Sequence, residues 1–235
     1  MNRAERRRLG AVSKKRLPQQ ETKVFIFVLS LGQVEAQFAI CLAGMASTFG
    51  FPPEGCPPYT AAFVHIRDAL ICQGRERAIG MALKHKATHA LFIDADQTFP
   101  IWTLHQLLMW NKPVVAANVV TKKLVKAAPT ARNFDPDIIG GSLVYTKPES
   151  SGLEKIWRVG TGIMMIQTKV FEKVEQPWFP AIFRPERGTY QGEDWSFCEK
   201  VEAAGFDIFI DHDLSKHVGH IGPVEFTHVM AGAGE

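Results

Sequence analysis

His89-Ala90-Leu91-Phe92-Ile93-Asp94-Ala95-Asp96 is the stretch on which the fold turns. Ala90 to Ile93 is continuously apolar, and the run stops at two acids one residue apart. A strand covered by helices on both faces has this composition, because neither face needs polar residues. Val24-Phe25-Ile26-Phe27-Val28-Leu29 has the same character, and Ala61–Ile66 a weaker form of it. Between these runs lie amphipathic stretches. Val34–Ser47 is expected to be helical, as is Gln73–Lys86, where Ala78, Ile79, Met81, Ala82 and Leu83 supply an apolar face. Pro100 opens a further helix through Trp102–Trp110, because the N–H that proline lacks has no partner in a first turn. Pro113–Val119 then reads as a strand. Strand and helix in alternation predict a single α/β, Rossmann-like domain with a central, mostly parallel sheet flanked by helices.

The second half is more broken. Gly140–Tyr145, Ile156–Val159, Gly162–Gln167 and Phe206–Ile210 are expected strands. Lys169–Glu175 and Glu193–Ala204 are expected helices, the latter ending at Gly205 as a C-cap. Two long loops, Phe49–Thr60 and the aromatic-rich Gln176–Gln191, are expected to close over a ligand.

With 46% hydrophobic and 22% charged residues in 235, the chain can bury a core, which excludes a disordered protein. The net charge of +3 is unevenly placed. Residues 1–20 carry seven Lys and Arg against Glu5 alone, a charge of +6, which leaves −3 for the rest. Residues 1–20 are therefore read as a basic leader without fixed structure, and residues 21–235 as the folded domain. Cys41, Cys56, Cys72 and Cys198 form no C-x-x-C pair, so buried, reduced thiols are expected in place of a zinc ribbon or disulfide scaffold. The leader lacks an apolar core before a cleavage site, and no run is long enough to cross a bilayer. A cytoplasmic protein without membrane insertion is expected.

In open α/β sheets, ligands bind beyond the carboxyl ends of the strands, where Asp94 and Asp96 stand. On an extended strand, residues i and i+2 share a face, so both carboxylates would aim at one point. Two hard oxygen donors there suit Mg²⁺ or Mn²⁺ on a diphosphate. The chain has no G-x-x-x-x-G-K-[ST], and no G-x-G-x-x-G follows the first strand, which argues against P-loop NTPases and dinucleotide oxidoreductases.

Several elements in order resemble the GT-A-fold glycosyltransferases, particularly small phage-encoded members. They are the first strand Val24–Ser30, Gly74-Arg75-Glu76-Arg77 before the acidic strand, Leu91–Asp96 itself, Gly160-Thr161-Gly162, Gly192-Glu193-Asp194 and His220-Ile221-Gly222. The resemblance implies a GT-A-type domain that transfers a sugar from a nucleotide-sugar, UDP-sugar foremost, to an acceptor hydroxyl, with its nucleotide-binding half at about 21–120 and its acceptor-binding half at about 121–223. It implies Asp96 and His220 as metal ligands, with Asp94 sharing the metal or holding the ribose. Mn²⁺ suits an imidazole among carboxylates better than Mg²⁺ does. His212 and His217 stand near His220, and spacing cannot rank the three. The resemblance favours His220, while a solvated surface is the plainer reading for the others. Ser30, Arg75, Thr161 and Gly162 would contact the donor. Asp194 would be the general base, with Glu193 as the neighbouring catalytic carboxylate. The dipole of the helix that they open should lower the pKa of Asp194 and weaken it as a base. Trp178, Phe179, Phe183, Tyr190 and Trp195 could be stacking platforms for a sugar or nucleobase, but core is the plainer reading for each.

The leader is most simply a solvated tail, and it lacks the apolar face that insertion into an anionic membrane would need. With the phage likeness it also suits DNA carrying a hydroxymethylated pyrimidine as an acceptor, with the host cytoplasm as the location. Glycan- or protein-directed transfer is the alternative acceptor class. A metal-dependent nucleotidyltransferase and a non-catalytic nucleotide- or glycan-binding module are the alternatives from other classes.

Overall fold

The computed structural model describes residues 21–123 and 127–231, so the basic leader lies outside the described residues. A seven-stranded sheet forms the centre. Its strands in chain order are β1 (Thr22–Leu29), β2 (Tyr59–Ile66), β3 (His89–Asp94), β5 (Val114–Ala116), β8 (Leu153–Ile156), β9 (Ile163–Gln167) and β12 (Ile208–Asp211). Their spatial order is β2-β1-β3-β9-β5-β12-β8. β2, β1, β3, β5 and β12 run one way, and β9 and β8 run against them. The expected α/β domain with a mostly parallel sheet is the fold observed.

Both sheet faces are covered, which explains the unbroken apolar strands. Phe25, Phe27 and Leu29 join one core cluster, and Val24, Ile26 and Val28 the other. The first cluster takes in Ala78, Ile79 and Ala82 of helix α2 (Ile71–Lys84) and Phe197, Cys198 and Val201 of α4 (Glu193–Ala203). The second takes in Phe38 and Met45 of α1 (Ala36–Ser47) and Leu104, Leu107 and Leu108 of α3 (Thr103–Trp110). Short helices α5 (His212–Ser215) and α6 (His228–Ala231) follow β12. No described helix is long and apolar enough to cross a membrane.

Small sheets decorate the carboxyl edge. β4 (Gln97–Thr98), β13 (Gly219–Ile221) and β14 (Glu225–Phe226) form one, in the order β14-β13-β4. β6 (Arg132–Asn133) pairs with β7 (Ser142–Leu143), and β10 (Ile182–Arg184) pairs with β11 (Thr189–Gln191).

Three expectations need correction. Phe49–Thr60 does not overhang the ligand edge. It feeds into β2 at Tyr59, which pairs with Thr22 at the amino end of β1, while Asp94 ends β3 beside Leu29 at the carboxyl end. A right-handed β-α-β crossover returns the chain to the opposite edge of the sheet, and this loop makes that return. Gln176–Gln191 is not all loop, since the β10–β11 hairpin occupies its second half. Of the four cysteines, all free, only Cys198 is fully buried.

Candidate active site

The chain places two adjoining cavities at the carboxyl ends of β1 and β3. One, of about 660 Å³, is lined by Ser30, Gln33, Glu35, Asp94 and Asp96, among others. The second, of about 280 Å³, is lined by Arg75, Asp94, Thr161, Glu193, Asp194 and His220, among others. All nine residues expected to act on donor, metal or acceptor therefore reach one connected region, Gly162 included.

Arg75 is the hub. It projects from α2 and is almost fully buried, as an arginine is only when paired. Its Nη2 donates to Asp94 Oδ1 at 3.2 Å and its Nε donates to Glu193 Oε1 at 3.3 Å. Three elements remote in sequence thus meet on one guanidinium. Arg77, two residues on, is exposed and pairs with Asp68, so of the two arginines only Arg75 serves the site. Burial raises the pKa of Asp94. Arg75 opposes this, and the charges of Asp96 and Glu193 reinforce it.

The chain turns at Ala95–Asp96 before entering β4, so the extended strand ends at Asp94, and both carboxylates nevertheless line the larger cavity. Pairing of β13 with β4 sets His220 opposite Gln97, and Ile221 N–H donates to the Asp96 carbonyl at 2.7 Å. This brings His220 Nε2 to 3.4 Å from Asp96 Oδ2. His220 Nδ1 lies 2.8 Å from the Val120 carbonyl. A carbonyl only accepts, so Nδ1 carries a proton and donates, and Nε2 is the ring nitrogen that faces Asp96. Lys122 Nζ also contacts Asp96 Oδ2. Burial works to raise the pKa of Asp96, but hydrogen bonds and charge from His220 and Lys122 prevail and hold it well below the usual carboxylate range.

These donors fit a divalent ion. Two ligands at about 2.1 Å from one metal stand about 3.0–3.5 Å apart, which matches the 3.4 Å between Asp96 Oδ2 and His220 Nε2. A backbone carbonyl on the far ring nitrogen is the usual support for a metal-binding histidine. The described residues contain no group of three His, Cys, Asp or Glu disposed as a metal cage, so the protein would supply two ligands and leave the rest to substrate and water.

Asp194 stands in the first turn of α4, and its Oδ1 accepts from Trp195 N–H at 2.7 Å. Its pKa is pushed up to about 6, chiefly by burial and then by the charge of Glu193. The lowering expected from the helix dipole is thus outweighed. A carboxylate so tuned can take a proton near neutral pH.

Four residues that line the second cavity each bury a polar atom without a partner among the described residues: Arg75 Nη1, Gln97 Oε1, Thr130 Oγ1 and Thr161 Oγ1. Gln97, Thr130 and Lys122 escape sequence reasoning because no motif marks them. Ser30 Oγ is 2.8 Å from His65 Nε2 at the first cavity. His212 is buried between Thr146 and Glu154, so it is not a surface residue, whereas His217 is exposed against Trp102. Trp178 and Phe179 are core, Phe183 and Tyr190 are exposed, and Trp195 is half-buried.

No family model and no curated protein matches the chain. Among solved structures it is similar to A197 from STIV, at 16% identity and a TM-score of 0.57 over 86% of each chain. At that identity the likeness shows the shared fold alone.

Proposed function

We propose that this protein is a GT-A-type glycosyltransferase that moves a sugar from a nucleotide-sugar to an acceptor hydroxyl. One observation carries the reading: Arg75, Asp94, Thr161, Glu193, Asp194 and His220, drawn from separate segments of the chain, line one small cavity. Together they offer hydrogen-bond donors and acceptors, which a hydroxyl-bearing sugar ring can meet with its own. The cavity, at about 280 Å³, has room for a small polar ring.

The nucleoside diphosphate would occupy the larger cavity beside Ser30 and Asp94. A divalent ion, Mn²⁺ or Mg²⁺, held by Asp96 and His220 would offset charge on the departing diphosphate. Asp194 accepts the proton of the acceptor hydroxyl while that oxygen bonds to the anomeric carbon. The bond from that carbon to the diphosphate breaks, and its electron pair leaves with the nucleotide. Arg75 keeps Glu193 and Asp94 in place, and the apolar core beneath excludes water from that side.

The test is incubation with Mn²⁺ and a panel of nucleotide-sugars, UDP-sugars first, while donor cleavage is followed with and without acceptors that include DNA bearing hydroxymethylated pyrimidines. Slow donor hydrolysis, lost in Asp96→Ala at unchanged thermal stability, is the expected result. Pyrophosphate release from a nucleoside triphosphate would point to a nucleotidyltransferase, and binding without cleavage would point to a non-catalytic module.

A further inference from the structure

Asp96 already holds a cation, and it belongs to the chain. Lys122 Nζ contacts Asp96 Oδ2, the same oxygen that faces His220 Nε2. The lysine is not there by default. Its side chain is about one-third exposed and could extend into water, where an ammonium is well hydrated. Its stem instead lies over Gly222, where a Cβ would stand 3.2 Å from Lys122 Cδ. Gly222 follows His220 by two residues, and Lys122 follows by two the residue Val120 whose carbonyl fixes the His220 ring. One short piece of chain therefore orients the imidazole and delivers the ammonium to the neighbouring carboxylate.

An ammonium and a divalent ion cannot share that oxygen. Both would sit within bonding distance of Asp96 Oδ2, and their charges would repel at close range. We propose that Lys122 is a tethered counter-ion that neutralises Asp96 in the ligand-free protein and must be displaced when a divalent ion binds there. This inference rests on the proposed metal role of Asp96 and His220. It implies that metal affinity is held down by an internal competitor.

The experiment is Mn²⁺ titration of the full chain without nucleotide, read by electron paramagnetic resonance of free Mn²⁺, for the natural protein, Lys122→Met, Lys122→Gln and Asp96→Asn. Thermal melts check folding, and Lys122→Gln substitutes if Lys122→Met fails to fold. The expected result is several-fold tighter Mn²⁺ binding in the Lys122 variants and loss of binding in Asp96→Asn. Equal or weaker binding in the Lys122 variants, with Asp96→Asn still deficient, would overturn the counter-ion role and leave the metal site standing. No binding by the natural protein or by either Lys122 variant would overturn both.

Discussion

Replacing Asp194 by Asn should make the protein more stable at pH 8 and leave its stability nearly unchanged at pH 4. In the folded chain, burial and the Glu193 charge move this carboxyl from its ordinary 3.8 to about 6. Below 3.8 the group is protonated in both folded and unfolded chains and contributes no difference. Between 3.8 and 6 the folded chain binds the extra proton, so stability falls as pH rises. Above 6 the full cost of ionising a buried carboxyl is present. Each tenfold change in acidity corresponds to about 1.4 kcal/mol, so the full displacement is worth about 3 kcal/mol. Solvent in the adjoining cavity screens part of this, which leaves about 1–3 kcal/mol. Asparagine keeps the Oδ1 acceptor for Trp195 N–H and removes only the charge.

Urea unfolding of both proteins at several pH values between 4 and 8 measures the effect. The quantity of interest is the difference between variant and natural protein, in which titrations common to both cancel. That difference should grow with pH and level off above about 6. At about 2–4 °C per kcal/mol for a chain of this length, thermal melts at pH 8 should separate by about 2–12 °C. A difference that is constant across the range, or that shrinks as pH rises, would refute the placement of Asp194 in a desolvated site. The same variant should lose about 10²–10⁴-fold in sugar transfer if Asp194 is the general base. Stability and activity would then move in opposite directions, as expected where a site is built at the expense of the fold.

Arg75→Met should destabilise the protein by about 2–4 kcal/mol, at the low end of the range for breaking a buried ion pair, because Asp94 and Glu193 remain partly solvated. Urea midpoints check this, and the loss should deepen as rising pH ionises Asp94, whose pKa burial raises, without its partner. If DNA is the acceptor, deleting residues 1–20 removes a net +6 and should weaken DNA binding and flatten its salt dependence, while donor hydrolysis continues. Fluorescence anisotropy at several salt concentrations reads this, and an unchanged slope would assign the leader no part in binding.

What could be read from the sequence follows from burial. β1 and β3 are covered on both faces, so their residues are apolar without interruption and stand out. β4, β13 and β14 are two or three residues long, too short to show any period, yet β4 and β13 bring His220 to Asp96. The acids, Arg75 and the Gly-Thr-Gly segment were legible because each sits beside a readable strand or helix end. Partnerships were not legible. Arg75 and Glu193 are 118 positions apart and Lys122 and Asp96 are 26 apart, and nothing local to either member names the other. The helix-dipole rule gave the wrong direction for Asp194 because it concerns a helix end in water. Here desolvation is the larger effect.

The antiparallel strand β9 explains how so many segments reach one edge. A parallel strand brings its carboxyl end to the ligand side, so β1 contributes Ser30 and β3 contributes Asp94. β9 lies between β3 and β5 and runs the other way, so it brings its amino end. Gly160, Thr161 and Gly162 thereby arrive beside the acids, with Asp94 N–H donating to the Gly162 carbonyl at 2.8 Å. Close approach of this segment is possible because its ends are small. A Cβ on Gly162 would stand 3.3 Å from Val119 Cγ2 and 3.4 Å from Gln97 Nε2, and one on Gly160 would stand 3.2 Å from Thr130 Cβ. Gln97 and Thr130 are two of the residues whose polar atoms await a partner. The glycines therefore shape the second cavity through the side chains they allow to stand close, and a strand opposed to its neighbours is what puts them there.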